Sequence, residues 1–176
     1  MNAEQLRALQ APLKEQYRAT PDTAWITLLA SGNVTGEGIS CSVETGRALV
    51  QAGLHPATGG DGSFACSGDM LLQALAACAG VTLKAVATAL GITLRQGEVL
   101  VEGDLDFRGT LGVDKAAPVG FANIRVRFIL DTDADDAALA SLLKLTERYC
   151  VVLQTLARGP QLDTRLERTN AVLAAG

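Results

Sequence analysis

The stretch GDMLLQALAACAGVTLKAVATAL, residues 68–90, decides the fold of this chain. Its apolar residues recur at steps of three and four, which predicts a helix over Asp69–Leu90 that Ser67 or Asp69 caps and Gly91 ends. Two adjoining apolar stripes cover much of its surface, namely Leu71, Leu75, Cys78, Thr82, Val86 and Leu72, Ala76, Ala79, Leu83. Because Lys84 is its only charge after Asp69, we expect burial on most sides, by a sheet, another helix or a second subunit.

The segments before this helix have the pattern of an antiparallel meander. Leucines at helical spacing predict a first helix over Ala3–Arg18, although Pro12 interrupts their pattern. Three short strands are predicted next, separated by glycine-containing turns, at Trp25–Leu29, Ile39–Val43 and Arg47–Gln51. A loop rich in Gly, Pro and Ser then spans Gly53–Gly68, and loops of this length are usually functional or packed against a partner.

The segments after the helix alternate between strand and helix patterns. Strand character over Ile92–Arg108 and Val119–Leu130 predicts a hairpin, whose second strand has Ile124, Val126, Phe128, Leu130 on one face and Arg125, Arg127 on the other. The other predicted elements are a turn, two helices and a last strand, at Gly109–Pro118, Ala134–Arg148, Val151–Ala157 and Gln161–Arg168. This order predicts an α+β fold with an antiparallel sheet and a buried central helix. A helix this apolar is hard to bury against short sheets within one chain of this size, so we also expect an obligate homodimer.

Composition narrows the classes of function. Apolar residues make up 48% of the chain and charged residues 19%, which is typical of one globular domain. The 15 basic residues are dispersed and the net charge is −4, so we expect no nucleic-acid partner. No 18-residue stretch lacks polar groups and the N-terminus lacks an apolar signal core, so we expect no membrane span and a cytoplasmic location. His55 is the only histidine and none of the four cysteines form a CxxC pair, so we expect no metal or other cofactor.

Two cysteines lie in surroundings that favour either thiol chemistry or simple packing. Cys78 is mid-helix, where a free cysteine is commonly a small core residue and where no helix N-terminus lowers the cost of a thiolate. Cys150 directly precedes a predicted short helix, whose N-terminal dipole would favour its thiolate, although burial as a filler is the alternative. Cys41 and Cys66 are read as incidental thiols, and His55 as a surface loop residue.

Taken together, four stretches resemble the OsmC/Ohr family of peroxide-defence proteins. They are Thr45-Gly46-Arg47, Gly59-Gly60-Asp61, Gly68-Asp69-Met70-Leu71-Leu72-Gln73-Ala74-Leu75-Ala76-Ala77-Cys78 and Tyr149-Cys150-Val151-Val152-Leu153-Gln154-Thr155-Leu156. The resemblance runs from about Trp25 to Arg168. It predicts an N-terminal helical extension over residues 1–23, an OsmC-like domain over residues 24–169 and a C-terminal tail over residues 170–176.

The resemblance implies an intertwined homodimer with two active sites at the subunit interface. It also implies that Cys78 attacks the O–O bond of an organic hydroperoxide and becomes a sulfenic acid. Cys150 then condenses with it to a disulfide, and a dithiol such as a lipoylated protein regenerates both thiols. An apolar helix wall would favour bulky organic hydroperoxides over hydrogen peroxide.

Two departures from the family pattern bear on activity. Family members have an arginine in the first hairpin that polarises the first cysteine, but residues 32–38 of this chain contain none. They also have a glutamate ten residues before that cysteine, where this chain has Gly68, with its acid at Asp69 instead. Asp69 is therefore our third candidate site residue, and Arg47 is a candidate replacement cation. The missing arginine favours an alternative to a peroxidase, namely a redox sensor or binder of small apolar ligands. A third reading is a structural dimer whose cysteines only fill the core.

Overall fold

A computed structural model describes residues 3–33, 42–43, 52–63 and 65–166 of the chain. Five helices and six strands are present within these ranges. In chain order they are α1 (Ala3–Ala19), β1 (Trp25–Asn33), β2 (Ser42–Val43), β3 (Ala52–Gly53), β4 (Ala65–Cys66), α2 (Ser67–Leu90), β5 (Gln96–Asp106), α3 (Phe107–Thr110), β6 (Phe121–Asp131), α4 (Asp136–Tyr149) and α5 (Val151–Ala157). The predicted α+β class is confirmed.

The main sheet has four strands in the order β2-β1-β5-β6, and each neighbouring pair is antiparallel. Strand β5 lies inside it, and its residues alternate between buried and more exposed positions. Along β6 the predicted alternation is confirmed, because Val126 and Phe128 pack against the core while Arg125 and Arg127 are exposed. The sheet therefore offers one apolar face on which helices can pack.

Helix α2 lies against this apolar face. Its fully buried positions follow one stripe and the edge of the next, namely Leu72, Leu75, Ala76, Ala79, Gly80, Leu83, Val86 and Ala87. It ends at Gly91, whose φ of 70° is the left-handed conformation that a helix end requires. The predicted caps, Ser67 and Asp69, are wrong, because Cys66 occupies the N-cap position without a capping side-chain bond.

Part of α2 is uncovered in the single chain. Met70, Leu71, Val81 and Leu90 are each 37–43% exposed, although they belong to the most apolar helix. Helix α2 is long and apolar enough to cross a membrane, judged by length and composition alone. Of its most apolar 18-residue stretch, 44% is buried inside the protein. The core helix of a globular protein has the same composition, and α2 here packs on the sheet and on α4.

Helix α1 attaches to the domain through its last turn. The buried side chain of Tyr17 donates a hydrogen bond of 2.8 Å to the Ala57 carbonyl, in a short 3₁₀ helix at Pro56–Thr58. The predicted first helix is confirmed, and it continues through Pro12, where the leucine pattern is interrupted. Its packing does not test the predicted domain boundaries, which stay predictions.

Several predicted features differ from the structure or lie outside the described residues. The long loop before α2 contains the 3₁₀ helix, and its ends form a short parallel pair, β3 with β4. No strand forms over residues 161–166, where Leu162 and Leu166 are 82% and 91% exposed. The strands predicted at residues 39–43 and 47–51 lie outside the described residues except for β2, as do Cys41, Arg47 and the tail.

Candidate functional site

Cys78 lies in the middle of α2, at the edge of its buried stripe. The side chain is half-buried and packs against the core, between the fully buried Leu75 and Ala79 on the same helix. Because only part of the residue is covered, its surface is not sealed from solvent. The helix therefore holds one thiol at the boundary between core and surface.

Cys150 lies at the junction between α4 and α5 and is fully buried. Its φ and ψ of −71° and 105° are not helical, so it ends one helix and begins the next. Its N–H donates to the Thr146 carbonyl at 2.9 Å, and its own carbonyl accepts from the Gln154 N–H at 2.9 Å. Both helices thus hold this residue in place through their backbone hydrogen bonds.

The two thiols meet where α2 packs against α4 and α5. Although 72 positions separate them in the sequence, the Cys78 thiol lies close enough to the Cys150 thiol to perturb its pKa. Burial raises the pKa of the Cys150 thiol to about 11. The Leu153 and Val152 backbone N–H groups, at the start of α5, lower this pKa, whereas Cys78 raises it. Because burial outweighs the helix N-terminus, Cys150 is a neutral thiol near pH 7.

Asp69 lies in the first turn of α2, nine residues before Cys78. Nine residues correspond to roughly two and a half turns and about 13.5 Å of helix, so the two side chains leave α2 on opposite sides. Burial raises the pKa of the Asp69 carboxyl, and the charge of His55 lowers it. The structure therefore brings Cys78 and Cys150 together but does not bring Asp69 to them.

His55 is half-buried rather than on the open surface. Its ring stacks on the Phe107 ring with centroids 5.0 Å apart, and its Nδ1 accepts a hydrogen bond of 3.0 Å from the Ala57 N–H. That bond caps the short 3₁₀ helix before α2. The role that the structure gives this histidine is structural.

Thr146 is a buried polar residue that sequence reasoning missed. It is fully buried on α4, and its hydroxyl has no hydrogen-bond partner among the residues that the structure describes. The signal in the sequence was the spacing of Leu142, Thr146 and Cys150, which follow one another at steps of four along one face of the helix. Thr146 therefore lies one helical turn before Cys150.

Comparison with known proteins identifies the family. The family model described as OsmC-like protein matches residues 60–165, which is more than half of the chain. The chain belongs to the OsmC-like family. Cys66, Cys78 and Cys150 lie inside the matched range, whereas Cys41 and α1 lie outside it.

One solved structure supports the OsmC-like fold independently. It is the crystal structure of an OsmC-like hydroperoxide resistance protein from Jannaschia sp. CCS1, with a TM-score of 0.59 and 18% sequence identity. The match covers 82% of this chain and 95% of that chain. No curated protein matches this sequence. Members of the OsmC-like family are generally soluble proteins, and membership supports a peroxidase-like function in general terms.

The arginine of the OsmC-like pattern is not replaced by any arginine whose contacts the structure describes. Residues 34–38 of the hairpin and Arg47 lie outside the described residues. Within those residues, Arg95, Arg108 and Arg125 form ion pairs with carboxylates. A fourth, Arg148, lies over the Tyr149 ring at 5.4 Å. Arg47 stays the predicted cation for Cys78.

Two surface clefts are lined by residues of the helices that hold the two cysteines. A cleft of about 410 Å³ beside the α4–α5 junction is lined by Arg148, Tyr149, Val151, Gln154, Thr155, Arg158 and Pro160. An apolar cleft of about 360 Å³ between β6 and α4 is lined by Leu83, Val126, Phe128, Leu130, Leu139, Leu142 and Leu143. Neither includes Cys78 or Cys150, so access to the thiols depends on the half-buried position of Cys78.

Proposed function

We propose that this protein reduces organic hydroperoxides with a thiol pair, Cys78 as the attacking cysteine and Cys150 as the resolving cysteine. The observation that carries the proposal is the proximity of two thiols that lie 72 positions apart in the sequence, one on α2 and one at the α4–α5 junction that α2 packs against. A sulfenic acid formed on one thiol is captured quickly when a second thiol is adjacent. Membership of the OsmC-like family supports the same reaction class.

The proposed reaction has three balanced steps. The Cys78 thiolate sulfur attacks the terminal hydroperoxide oxygen, the O–O bond breaks, and the alkoxide takes a proton and leaves as an alcohol. Cys78 is then a sulfenic acid, and the Cys150 sulfur displaces its hydroxyl, which leaves as water with the Cys150 thiol proton. A dithiol finally returns two electrons and two protons and becomes a disulfide itself.

The two roles follow from the different surroundings of the thiols. Cys78 is half-buried, so a small oxidant has a route to its sulfur, whereas Cys150 is fully buried. The raised pKa of Cys150 keeps that thiol protonated near pH 7, which disfavours it as the first nucleophile. The order of attack that the family resemblance implies is therefore also the order that burial favours.

The surroundings of Cys78 also favour one class of substrate. Its helix neighbours on the buried side are leucines and alanines, so a hydroperoxide with an apolar body fits this wall better than hydrogen peroxide does. We further propose a lipoylated protein or a similar dithiol as reductant, and the cytoplasm as the location. Asp69 belongs to the proposal only as an acid that holds an activating cation, because its position excludes direct contact with Cys78.

We also propose that the protein is a homodimer. Met70, Leu71, Val81 and Leu90 leave an apolar part of α2 exposed in the single chain. A second copy would cover these side chains and remove apolar surface from water. Sedimentation equilibrium should give twice the mass of the 18.3 kDa chain, and a monomer at micromolar concentration would contradict this proposal.

Peroxidase activity is tested by consumption of cumene hydroperoxide with dihydrolipoamide as reductant. We expect Cys78→Ser to abolish consumption and Cys150→Ser to allow no more than slow turnover after the first oxidation. Cys66→Ser is the matched control, because Cys66 is also a half-buried thiol on the matched domain but lies at the start of α2. Wild-type protein that leaves the hydroperoxide intact with both dihydrolipoamide and dithiothreitol would refute the proposal.

The absence of arginine from residues 32–38 favours a second candidate, a redox sensor or a binder of small apolar ligands. A sensor would form the Cys78–Cys150 disulfide once per oxidant without repeated turnover. A binder would leave Cys78 unreactive at neutral pH and would retain an apolar ligand. Rapid, repeated turnover would count against both.

A further inference from the structure

The Thr146 hydroxyl is the one buried side-chain polar atom without a hydrogen-bond partner in the described part of the chain. A buried hydroxyl without a partner destabilises the fold, because it has lost its water without gaining a replacement. Such groups are rare, and a role in chemistry is one of the accepted reasons for keeping one. Thr146 is fully buried, so bulk water does not supply the missing bond.

Two other hydroxyls in the helices of this protein, those of Ser141 and Thr88, have the partner that Thr146 lacks. Helical serine and threonine usually donate to the carbonyl four residues earlier. Ser141 on α4 does so to the Ala137 carbonyl at 2.9 Å, and Thr88 on α2 does so to the Lys84 carbonyl at 2.8 Å. The Thr146 hydroxyl makes no such bond and is therefore available to a group outside its own helix.

The position of Thr146 points to the oxygen of the proposed reaction. It lies on the buried face of α4, one turn or about 6 Å before Cys150 along the helix. Its carbonyl already holds the Cys150 N–H, and α2 packs against both α4 and α5. When Cys78 becomes a sulfenic acid, an oxygen atom enters this seam, where the surrounding α2 side chains are mainly leucine and alanine. That oxygen needs a hydrogen-bond donor within the protein.

We propose that the Thr146 hydroxyl donates a hydrogen bond to the sulfenic acid oxygen of Cys78 and assists its departure as water. The inference rests on the proposed function, because that oxygen arises only if peroxide oxidises Cys78. In the condensation the Cys150 sulfur bonds to the Cys78 sulfur and the S–O bond breaks. The leaving oxygen keeps both electrons and takes the Cys150 proton, and donation from Thr146 lowers the negative charge on it.

The test compares Thr146→Val, which keeps the shape and removes the hydroxyl, with Thr146→Ser, which keeps the hydroxyl. Each full-length protein is mixed with one equivalent of cumene hydroperoxide and quenched over time, with dimedone to trap sulfenic acid. Mass spectrometry then separates the dimedone adduct of Cys78 from the Cys78–Cys150 disulfide. Ser141→Ala is the matched control, since it removes an exposed, partnered hydroxyl from the same helix.

We expect Thr146→Val to oxidise Cys78 within twofold of the wild-type rate, but to form the disulfide at least about tenfold more slowly, with accumulation of the adduct. Thr146→Ser should restore disulfide formation. Wild-type disulfide formation in Thr146→Val, or equal slowing of both steps, would overturn the inference and leave the proposed function intact. Wild-type protein whose Cys78 is not oxidised would overturn both. If Thr146→Val does not fold, Thr146→Ala provides the same comparison.

Discussion

Alkaline pH should destabilise the wild-type protein more than a Cys150→Ala variant. The pKa of the Cys150 thiol is raised from 9.0 to about 11 in the fold, mainly by burial. Since the folded state disfavours the thiolate, the stability linked to this group is complete below pH 9 and is lost as pH rises towards 11. A shift of about two pKa units corresponds to roughly 2–3 kcal/mol of unfolding free energy once both states are fully ionised.

The assay is urea denaturation under reducing conditions at pH 8, 9, 10 and 11, followed by circular dichroism. Tyrosine and lysine side chains titrate in both proteins, so the difference between wild type and variant isolates Cys150. We expect Cys150→Ala to be less stable at pH 8 because it leaves a cavity, and the gap to narrow by about 2 kcal/mol by pH 11, where the folded-state thiol is half ionised. Cys66→Ala is the control and should keep the alkaline loss. A gap that is the same at every pH would refute the reasoning.

Three further contacts of the fold can be tested by substitution and urea denaturation. Asp106→Asn should lower the free energy of unfolding by about 3 kcal/mol, because it breaks the ion pair between a fully buried carboxylate and Arg108. The hydrogen bonds from Arg108 lower the pKa of the Asp106 carboxyl, so the wild type loses this stabilisation as pH falls through that pKa. The stability difference between wild type and Asp106→Ala should therefore shrink at acid pH. Leu83→Ala should cost about 2–5 kcal/mol, whereas Leu143→Ala, 44% exposed, should cost far less. Tyr17→Phe should cost about 1 kcal/mol by removing the hydrogen bond that anchors α1.

Each of these expectations has a clear opposing result. Equal stability of wild type and Asp106→Asn would show that the ion pair contributes nothing net. Equal losses for the two leucine variants would contradict the burial that distinguishes them. No loss in Tyr17→Phe would show that α1 is held by its other contacts.

The elements that could be predicted are those with a strong hydrophobic period. Helix α2 forms where apolar residues recur three or four positions apart, and strand β6 forms where they alternate. The N-cap of α2 could not be read this way, because Cys66 fills it without the side-chain bond that defines a typical cap. Apolar and polar residues alternate over residues 161–166 as in a strand, but no strand pairs with them within the described structure. Alternation alone does not provide a partner strand.

The thiol pair and its surroundings depend on tertiary structure. Sequence patterns singled out Cys78 and Cys150, but only the family resemblance implied that they meet, since spacing carries no information on a contact over 72 positions. The position of Cys150 at a helix start was predicted correctly, yet burial, not the helix dipole, dominates its pKa. The missing hydrogen-bond partner of Thr146 depends on how the side chains around it pack, which no residue pattern encodes.

The packing of α2 against the α4–α5 junction has a consequence for thermal stability. A covalent link between the Cys78 and Cys150 sulfurs would close a loop of 72 positions, and such a constraint on the unfolded chain is worth about 4.4 kcal/mol in the chain-entropy view. The oxidised protein would then melt well above the reduced one. Its melting temperature would report, without any added dye or substrate, which redox state the molecule occupies.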